Sequence, residues 1–499
     1  MLRNRVFERL GVGSTEEIIL DSVVLNQFAR TIFGQALADC SIERAFAQKI
    51  KVVTAVDGTK KLLFGENVVD LAHVKHVRIV AIGKASRTML EALLPLLPLP
   101  AHCDLAGVLI APAPPKELPP EFEFFAGGHP VPDEASFAGA CAVLAMLQAL
   151  PESVSGAKET LCLFLISGGA SAMMELPLDP AISLTDTIAF HRALVHSGAS
   201  IAEMNCVRKH FSAVKGGRLA LVAKGAECLS VLVSDVPSGH LDTIASGPTV
   251  PDTSTIYDCR EILTRYNLIE RFPASVRRFF ASPNLPETPK PDTLTARTLT
   301  LLDASDLAEA ARQRAEQLGF HVVIDNSCDD WDYRAASEYL LARLRTLRRK
   351  LPRLCLISVG ELAVSPPDPP LSSGRDLMAS GIGGRNQHFA LYTATLLESS
   401  DEPIAVLSAG SDGIDGNSVA AGAVVNGQTL RRGNFGVPTP YNTPEWLHAE
   451  AQRALWEFRS FTFLESAGAT ITIGPTGNNL RDLRIFLAEQ PRILHTYPD

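Results

Sequence analysis

The chain has 499 residues, of which 46% are hydrophobic and 20% charged, and 46 basic against 55 acidic residues leave a net charge of −9. This composition excludes a disordered chain, and the acidic balance argues against a broad nucleic-acid footprint. The length exceeds what one ordinary core accommodates, so two or more domains are expected.

In chain order, Met1 to Leu10 is charged throughout and lacks the apolar core of a secretory signal. A cytoplasmic protein is expected, with an organelle address left open by the arginine-rich start. Nine cysteines lie scattered without a C-x-x-C pair, so free thiols are expected rather than a disulfide framework or zinc ribbon. The longest apolar-rich stretch, Ala138 to Leu150, is too short to span a bilayer. No membrane and no nucleic-acid partner is therefore expected.

A repeated unit then organises the chain: a short apolar strand, a Gly/Ser/Asp turn, and a helical segment. Val77–Ile82 precedes Gly83-Lys84-Ala85-Ser86, with a helix to about Leu94; Leu161–Ile166 precedes Ser167-Gly168-Gly169-Ala170-Ser171; Cys228–Val233 precedes Ser234-Asp235. Such alternation predicts an α/β fold with a mostly parallel sheet, whose ligand edge lies beyond the strand C-termini. Five prolines from Pro273 to Pro291 suggest a linker. The boundaries expected are 15–275 for a first domain, 276–295 for the linker and 296–499 for a second α/β domain. The second begins with strand Thr298–Leu302 and helix Ala304–Leu318. It continues with strands at His321–Ile324, Arg353–Ser358, from Ile404 and at Thr470–Ile473, the last two ending in glycine loops.

Consecutive glycines let several backbone N–H groups face one point, a design suited to anions. The loop Ser167–Ser171 fits it, although a tight βα turn explains two glycines as well. Lys84, at a strand end, reads as a ligand-edge cation or as a surface lysine. Arg385, after Gly383-Gly384, can offer a planar fork to phosphate or carboxylate, or hold a neighbouring acidic residue. Asp235, Asp412 and Asp415 at strand ends suit Mg²⁺ beside phosphate, and each also suits an Asx-turn. His129 and His240 lie in loops without a paired second ligand, which favours a structural or substrate-contact role.

Familiar fingerprints fail. Arg78 stands where a Walker A loop needs glycine, and Ala85 where it needs Ser or Thr. Gly381-Ile-Gly-Gly-Arg-Asn386 ends in asparagine rather than the third glycine of a dinucleotide loop. Ile166 precedes Ser167, so there is no G-x-S-x-G elbow.

Seven motifs occur in order: Gly127-Gly-His-Pro-Val-Pro-Asp133, Ile166-Ser-Gly-Gly-Ala-Ser-Ala172, Lys215-Gly-Gly-Arg-Leu219, Ser234-Asp-Val-Pro237 with Ile244-Ala-Ser-Gly-Pro-Thr-Val-Pro-Asp252, Gly383-Gly-Arg-Asn-Gln387, Ser411-Asp-Gly-Ile-Asp-Gly416 and Gly474-Pro-Thr-Gly477. Together they resemble the class II glycerate kinases over nearly the whole chain. The resemblance implies an N-terminal Rossmann-like domain, a C-terminal domain containing the MOFRL region (about 352–490), and an active-site cleft between them. It implies ATP- and Mg²⁺-dependent phosphorylation of D-glycerate at its 2-hydroxyl, with a homodimer allowed.

Within that resemblance the catalytic candidates are Lys84, Arg385 and Asp235, and the metal candidates are Asp235, Asp412 and Asp415. Substrate or nucleotide contacts are expected at Ser167, Gly168, Gly169, Ser171, His129, Lys215, Ser238, Gly247, Asn386, Ser411, Thr476, Gly477 and Asn479. The sequence also departs from the pattern. Ser238-Gly239 replace the usual Gly-Asp, Asn417-Ser418-Val419 the usual Pro-Thr-Asp, and Val359-Gly-Glu-Leu-Ala363 the usual Gly-Gly-Glu-Thr-Thr. Asn478 stands where threonine is common. Two alternatives remain: an NAD(P)H-dependent hydroxypyruvate reductase, and a non-catalytic sensor of a phosphorylated metabolite.

Overall fold

The computed structural model describes residues 22–54, 60–97, 99, 102–151, 158–236, 243–294, 297–364, 381–398, 403–431 and 443–490. The chain divides into two compact units, one spanning Ile42–Asp303, the other joining the residues up to Ser41 to those from Ala304 onward.

The Ile42–Asp303 unit begins with a small antiparallel sheet of β1 (Ile50–Thr54), β2 (Lys60–Phe64) and β3 (Asn67–Asp70). Its main sheet comprises β4 (His76–Ile82), β5 (Asp104–Ile110), β6 (Phe122–Phe125), β7 (Thr160–Ser167), β8 (Glu227–Val233) and β9 (Arg297–Leu302). These pair in the order β6-β5-β4-β7-β8-β9, and every pairing is parallel. All eight residues of β7 are buried, as expected of a central strand covered on both faces. The helix Glu134–Gln148, opened by an Asp133–Ser136 capping box, lays Val143 and Leu147 into the same core as Val80, Ile82 and Phe164. Strand order reverses between β4 and β7. The crevice outside their C-terminal ends is the place where open α/β sheets take ligands.

The other unit carries β10 (His321–Ile324), β11 (Arg353–Gly360), β12 (Ile404–Gly410), β13 (Gly422–Asn426), β14 (Thr470–Ile471) and β15 (Asp482–Glu489), ordered β10-β11-β15-β12-β13-β14. Only β10 and β11 pair in parallel. The last strand inserts at the centre, antiparallel to both neighbours, so that Asp482 stands opposite Gly360 on one side and Gly410 on the other. That register brings the loops after β11 and β12, and the loop before β15, to one edge.

Two expectations change here. Thr298–Leu302 is not the start of the second unit: as β9 it pairs with β8. Nor are residues 276–295 a linker. The helix Ala274–Ala281 buries Val276, Phe279 and Phe280, and Leu285 joins the same core. Prolines end helices without preventing extended backbone from packing. The boundary therefore falls at Asp303/Ala304, and the helix Ser22–Asp39 packs on β12, β13 and β15. All nine cysteines are free thiols. No helix among the described residues is long and apolar enough to cross a membrane.

Candidate active site

At the β4/β7 switch point two tight loops are laced together. Lys84 N donates to Gly168 O at 2.9 Å, and Ala85 N donates to Ser167 Oγ at 3.0 Å. Gly83 has φ 114°, and a Cβ there would sit 2.5 Å from Ser167 Oγ, so this close approach requires glycine. Three candidate side chains converge on the glycine pair. A Cβ on Gly168 would lie 1.8 Å from Asp235 Oδ2. One on Gly169 would lie 3.0 Å from His129 Cδ2 and 3.1 Å from Lys84 Cγ. Lys84 is exposed, so its ammonium faces solvent on the ligand edge. Burial, followed by the Lys84 charge, lowers the pKa of His129 and favours a neutral imidazole.

One turn beyond, Ser171 Oγ lies 3.0 Å from Ser246 Oγ. Ala245, Ser246 and Gly247 all have positive φ, at 55°, 58° and 60°. Gly216 N and Gly217 N donate to Ser246 O and Gly247 O at 3.0 and 2.7 Å, which fastens this turn to the Lys215-Gly-Gly motif. Gly247 thus has a structural task. Lys215 itself is buried, with its ammonium 2.7 Å from the fully buried Glu175, which also takes His191 at 2.9 Å. The substrate contact expected of Lys215 is corrected: its charge is used inside the fold. Ser238 lies outside the described residues.

In the other unit the helix Arg385–Leu396 starts at the edge where β11, β12 and β15 meet. Arg385 Nε and Nη2 donate to Asp482 at 2.6 and 3.2 Å, and Nη1 donates to Glu361 at 2.9 Å. Burial disfavours the charge, but these two carboxylates more than offset it and raise the guanidinium pKa. Glu361 is itself shifted up by burial, against the pull of Arg385. Asp329 extends the network. It binds Arg481 through both oxygens at 2.5 and 2.8 Å and accepts from Glu361 N at 3.0 Å.

The loop after β12 divides its two aspartates. Asp415 is buried and accepts from Asn386 N and Nδ2 and Gln387 N and Nε2, at 2.8 to 3.3 Å. Burial pushes its carboxyl up to about 6 despite these donors. A carboxylate so occupied caps the helix, and its expected metal role is corrected. Asp412 is partly exposed, with Oδ1 accepting from Ile414 N at 3.1 Å in an Asx-turn. Asn386 is buried, its Oδ1 accepting from Ser408 at 2.6 Å. Ser411 is buried, its Oγ accepting from Leu480 N at 2.6 Å, and its carbonyl accepts from Thr476 Oγ1 at 2.7 Å. Asn479 Oδ1 accepts from Arg481 N at 3.0 Å, and Gly477 has φ 73°. These residues build the loop from within. Thr476 and Gly477 remain on the exposed side.

Among the described residues no three His, Cys, Asp or Glu side chains are arranged to hold a metal ion. Mg²⁺ commonly takes one or two carboxylates beside phosphate oxygens, so Asp235 in the one unit and Asp412 in the other are each a single-carboxylate candidate, both only partly buried. Sequence reasoning missed Asp482, Asp329 and Arg481, and noticed Glu361 only as part of an altered motif. Asp482 had one available signal, a carboxylate opening the strand Asp482–Glu489.

Two families match the chain: the one described as "Domain of unknown function (DUF4147)" over residues 28–281, and the MOFRL family over residues 354–482. The D-glycerate 2-kinase of Thermotoga maritima is 34% identical over 421 residues, covering 83% of this chain and 91% of that protein. A protein of Agrobacterium vitis provisionally named hydroxypyruvate reductase is 32% identical, covering 98% and 100%. The crystal structure of the Thermotoga maritima glycerate kinase superposes with a TM-score of 0.74 at 31% identity, covering 93% of this chain and 99% of that one. With the lysine, histidine and aspartate gathered at the switch point and this extent of similarity, the chain belongs to the glycerate kinase family built from DUF4147 and MOFRL domains.

Proposed function

We propose that this protein transfers the γ-phosphoryl group of ATP to the 2-hydroxyl of D-glycerate, giving 2-phosphoglycerate. The observation that carries this reading is the convergence of Lys84, His129 and Asp235 on Gly168–Gly169, within a chain whose relatives include glycerate 2-kinases. Phosphoryl transfer needs positioning and charge neutralisation more than covalent chemistry. Exposed Lys84 neutralises anionic substrate at the glycine loop. Asp235 accepts the proton of the attacking hydroxyl, and neutral His129 orients that hydroxyl. Arg385, held in one orientation by Asp482, stabilises charge on the transferring group. Asp235 or Asp412 would hold Mg²⁺, which would supply charge screening for the phosphate oxygens.

The test is ADP release with D-glycerate and Mg²⁺, run beside NADH oxidation with hydroxypyruvate. Mg²⁺-dependent ADP release supports the kinase. NADH consumption without ADP release would overturn it in favour of the reductase. Thermal stabilisation by ligand with neither reaction would point to the sensor.

A further inference from the structure

Behind the glycine loop of the Ile42–Asp303 unit runs a polar chain that the proposed chemistry leaves unused. Ser171 Oγ meets Ser246 Oγ at 3.0 Å, Ser246 Oγ donates to Asn205 Oδ1 at 3.1 Å, and Arg208 Nη1 donates to the same oxygen at 3.3 Å. Asn205 and Ser246 are buried, whereas Ser171 and Arg208 are only partly so. The chain therefore has a closed back and an accessible front.

Two features show that this chain is more than packing. Ser246 occupies the middle of three consecutive left-handed residues. For non-glycine residues that conformation is unfavourable, and such strain gathers where a side chain must be aimed. The charges are also unbalanced. Lys215 and Glu175 neutralise each other, and Glu175 also takes His191. Arg208 is left hydrogen-bonded to a neutral amide oxygen. Its Nε is enclosed without a partner, and among the described residues no carboxylate lies within ion-pair distance of its guanidinium. The carboxylate that pulls on the Arg208 charge, Glu175, is already held by Lys215. Partly burying a cation on a shared counter-charge is costly, and an anionic ligand offsets that cost when it arrives.

The geometry points to a carboxylate-binding subsite in which Arg208, with the hydroxyl of Ser171, holds the acid group of the 2-hydroxy acid, while Ser246 and Asn205 fix the two from behind. This inference rests on the kinase reading for the identity of the acid. In a 2-hydroxy acid the carboxylate is bonded to the carbon that bears the reacting hydroxyl. The subsite must therefore adjoin the group that activates the hydroxyl, and Ser171 lies two residues past Gly169, where Lys84 and His129 converge. Arg208 thus selects acids over neutral polyols. Lys84 is left for phosphate.

The experiment compares wild type, Arg208→Gln, Arg208→Lys and Ser171→Ala with D-glycerate, with glycerol as its neutral counterpart, and with ATP varied separately. Losing a charge-assisted hydrogen bond should raise KM for D-glycerate about 10- to 100-fold in Arg208→Gln. KM for ATP and the trace rate with glycerol should stay within about twofold. Arg208→Lys should fall between, because a point charge cannot replace the fork. The thermal shift produced by D-glycerate alone should vanish in Arg208→Gln while the shift produced by ATP persists. A raised KM for ATP with an unchanged KM for D-glycerate overturns the proposal in favour of a phosphate subsite, and unchanged values for both overturn it outright. If Arg208→Gln does not fold, half-buried Ser171→Ala decides: an unchanged KM for D-glycerate overturns the subsite, and a several-fold rise supports it. A wild type that releases no ADP, yet shows an Arg208-dependent thermal shift with 2-hydroxy acids, overturns the kinase reading and leaves the subsite standing.

Discussion

The two cations proposed to act in catalysis, Lys84 and Arg385, are held in opposite ways. Lys84 projects from a βα turn with its stem against Gly169 and its end exposed. Arg385 is fixed by a buried carboxylate on the central strand and a second, half-exposed one beside it. An exposed ammonium costs little to display and is free to follow a moving phosphate. A guanidinium enclosed at a sheet edge needs counter-charges to be tolerated, and those same charges fix its direction. The comparison separates a group kept for its charge from a group kept for charge and orientation together.

The sharpest way to break this comparison is to remove each cation. Lys84→Ala and Arg385→Ala should each lower kcat/KM by about 10²–10³-fold, the usual effect of losing one charge-stabilising donor. Only Arg385→Ala should also lower stability, by about 2–3 kcal/mol, because it strands Asp482 and Glu361. Urea unfolding of both variants checks this, and equal midpoints would erase the distinction.

Lys215 extends the comparison to a cation wholly enclosed. Lys215→Met should destabilise by about 3–5 kcal/mol, since it leaves buried Glu175 unpaired. Glu175, buried yet facing the Lys215 and His191 charges, is held down to about 2. A carboxyl with a lowered folded-state pKa stabilises above its free value of about 4.3. That contribution is lost as pH falls from there toward 2. The stability deficit of Lys215→Met against wild type should therefore shrink as pH falls through that window, because protonation relieves the stranded Glu175 charge, as urea unfolding followed by circular dichroism at several pH values would show.

A smaller effect tests the clamp. Asp482→Asn should lower kcat about tenfold with little change in KM, and should cost nothing further in an Arg385→Ala background. Additive losses would make Asp482 a structural residue only. The smallest effect is expected at the loop after β12. Asp412→Asn should raise the Mg²⁺ concentration needed for half-maximal rate a few-fold, with stability changed by less than about 0.5 kcal/mol. Asp415→Asn should do the reverse, lowering stability while the Mg²⁺ requirement holds.

Much of this was legible from residue order. The runs before Gly83, Ser167 and Ser234 announced buried parallel strands, because continuous apolar runs of that length suit strands covered on both faces. Chain direction also brought Lys84 and Ser167 to one edge. Other features were not legible. Lys215-Gly-Gly and Ser167-Gly-Gly look alike as motifs, yet one lysine-bearing loop is internal and the other loop lines the edge. Asp412 and Asp415 share one loop, and only their hydrogen-bond partners, Ile414 in one case and Asn386 with Gln387 in the other, tell them apart. The proline-rich stretch after Pro273 resembled a linker, because the composition of a packed extended segment equals that of a free one.

The sequence by itself determined the α/β class, the glycine turns and the family, because strand length, turn chemistry and motif order are local properties carried by neighbouring residues. Tertiary structure alone decided which charges are available. It set Glu175 against Lys215, Asp482 against Arg385 and Asp415 against a helix start, and it left Lys84 exposed and Arg208 hydrogen-bonded to the Asn205 amide oxygen. Availability depends on what lies across a sheet edge or a core, 28 to 97 residues away in these pairs, and no pattern within a motif records that distance.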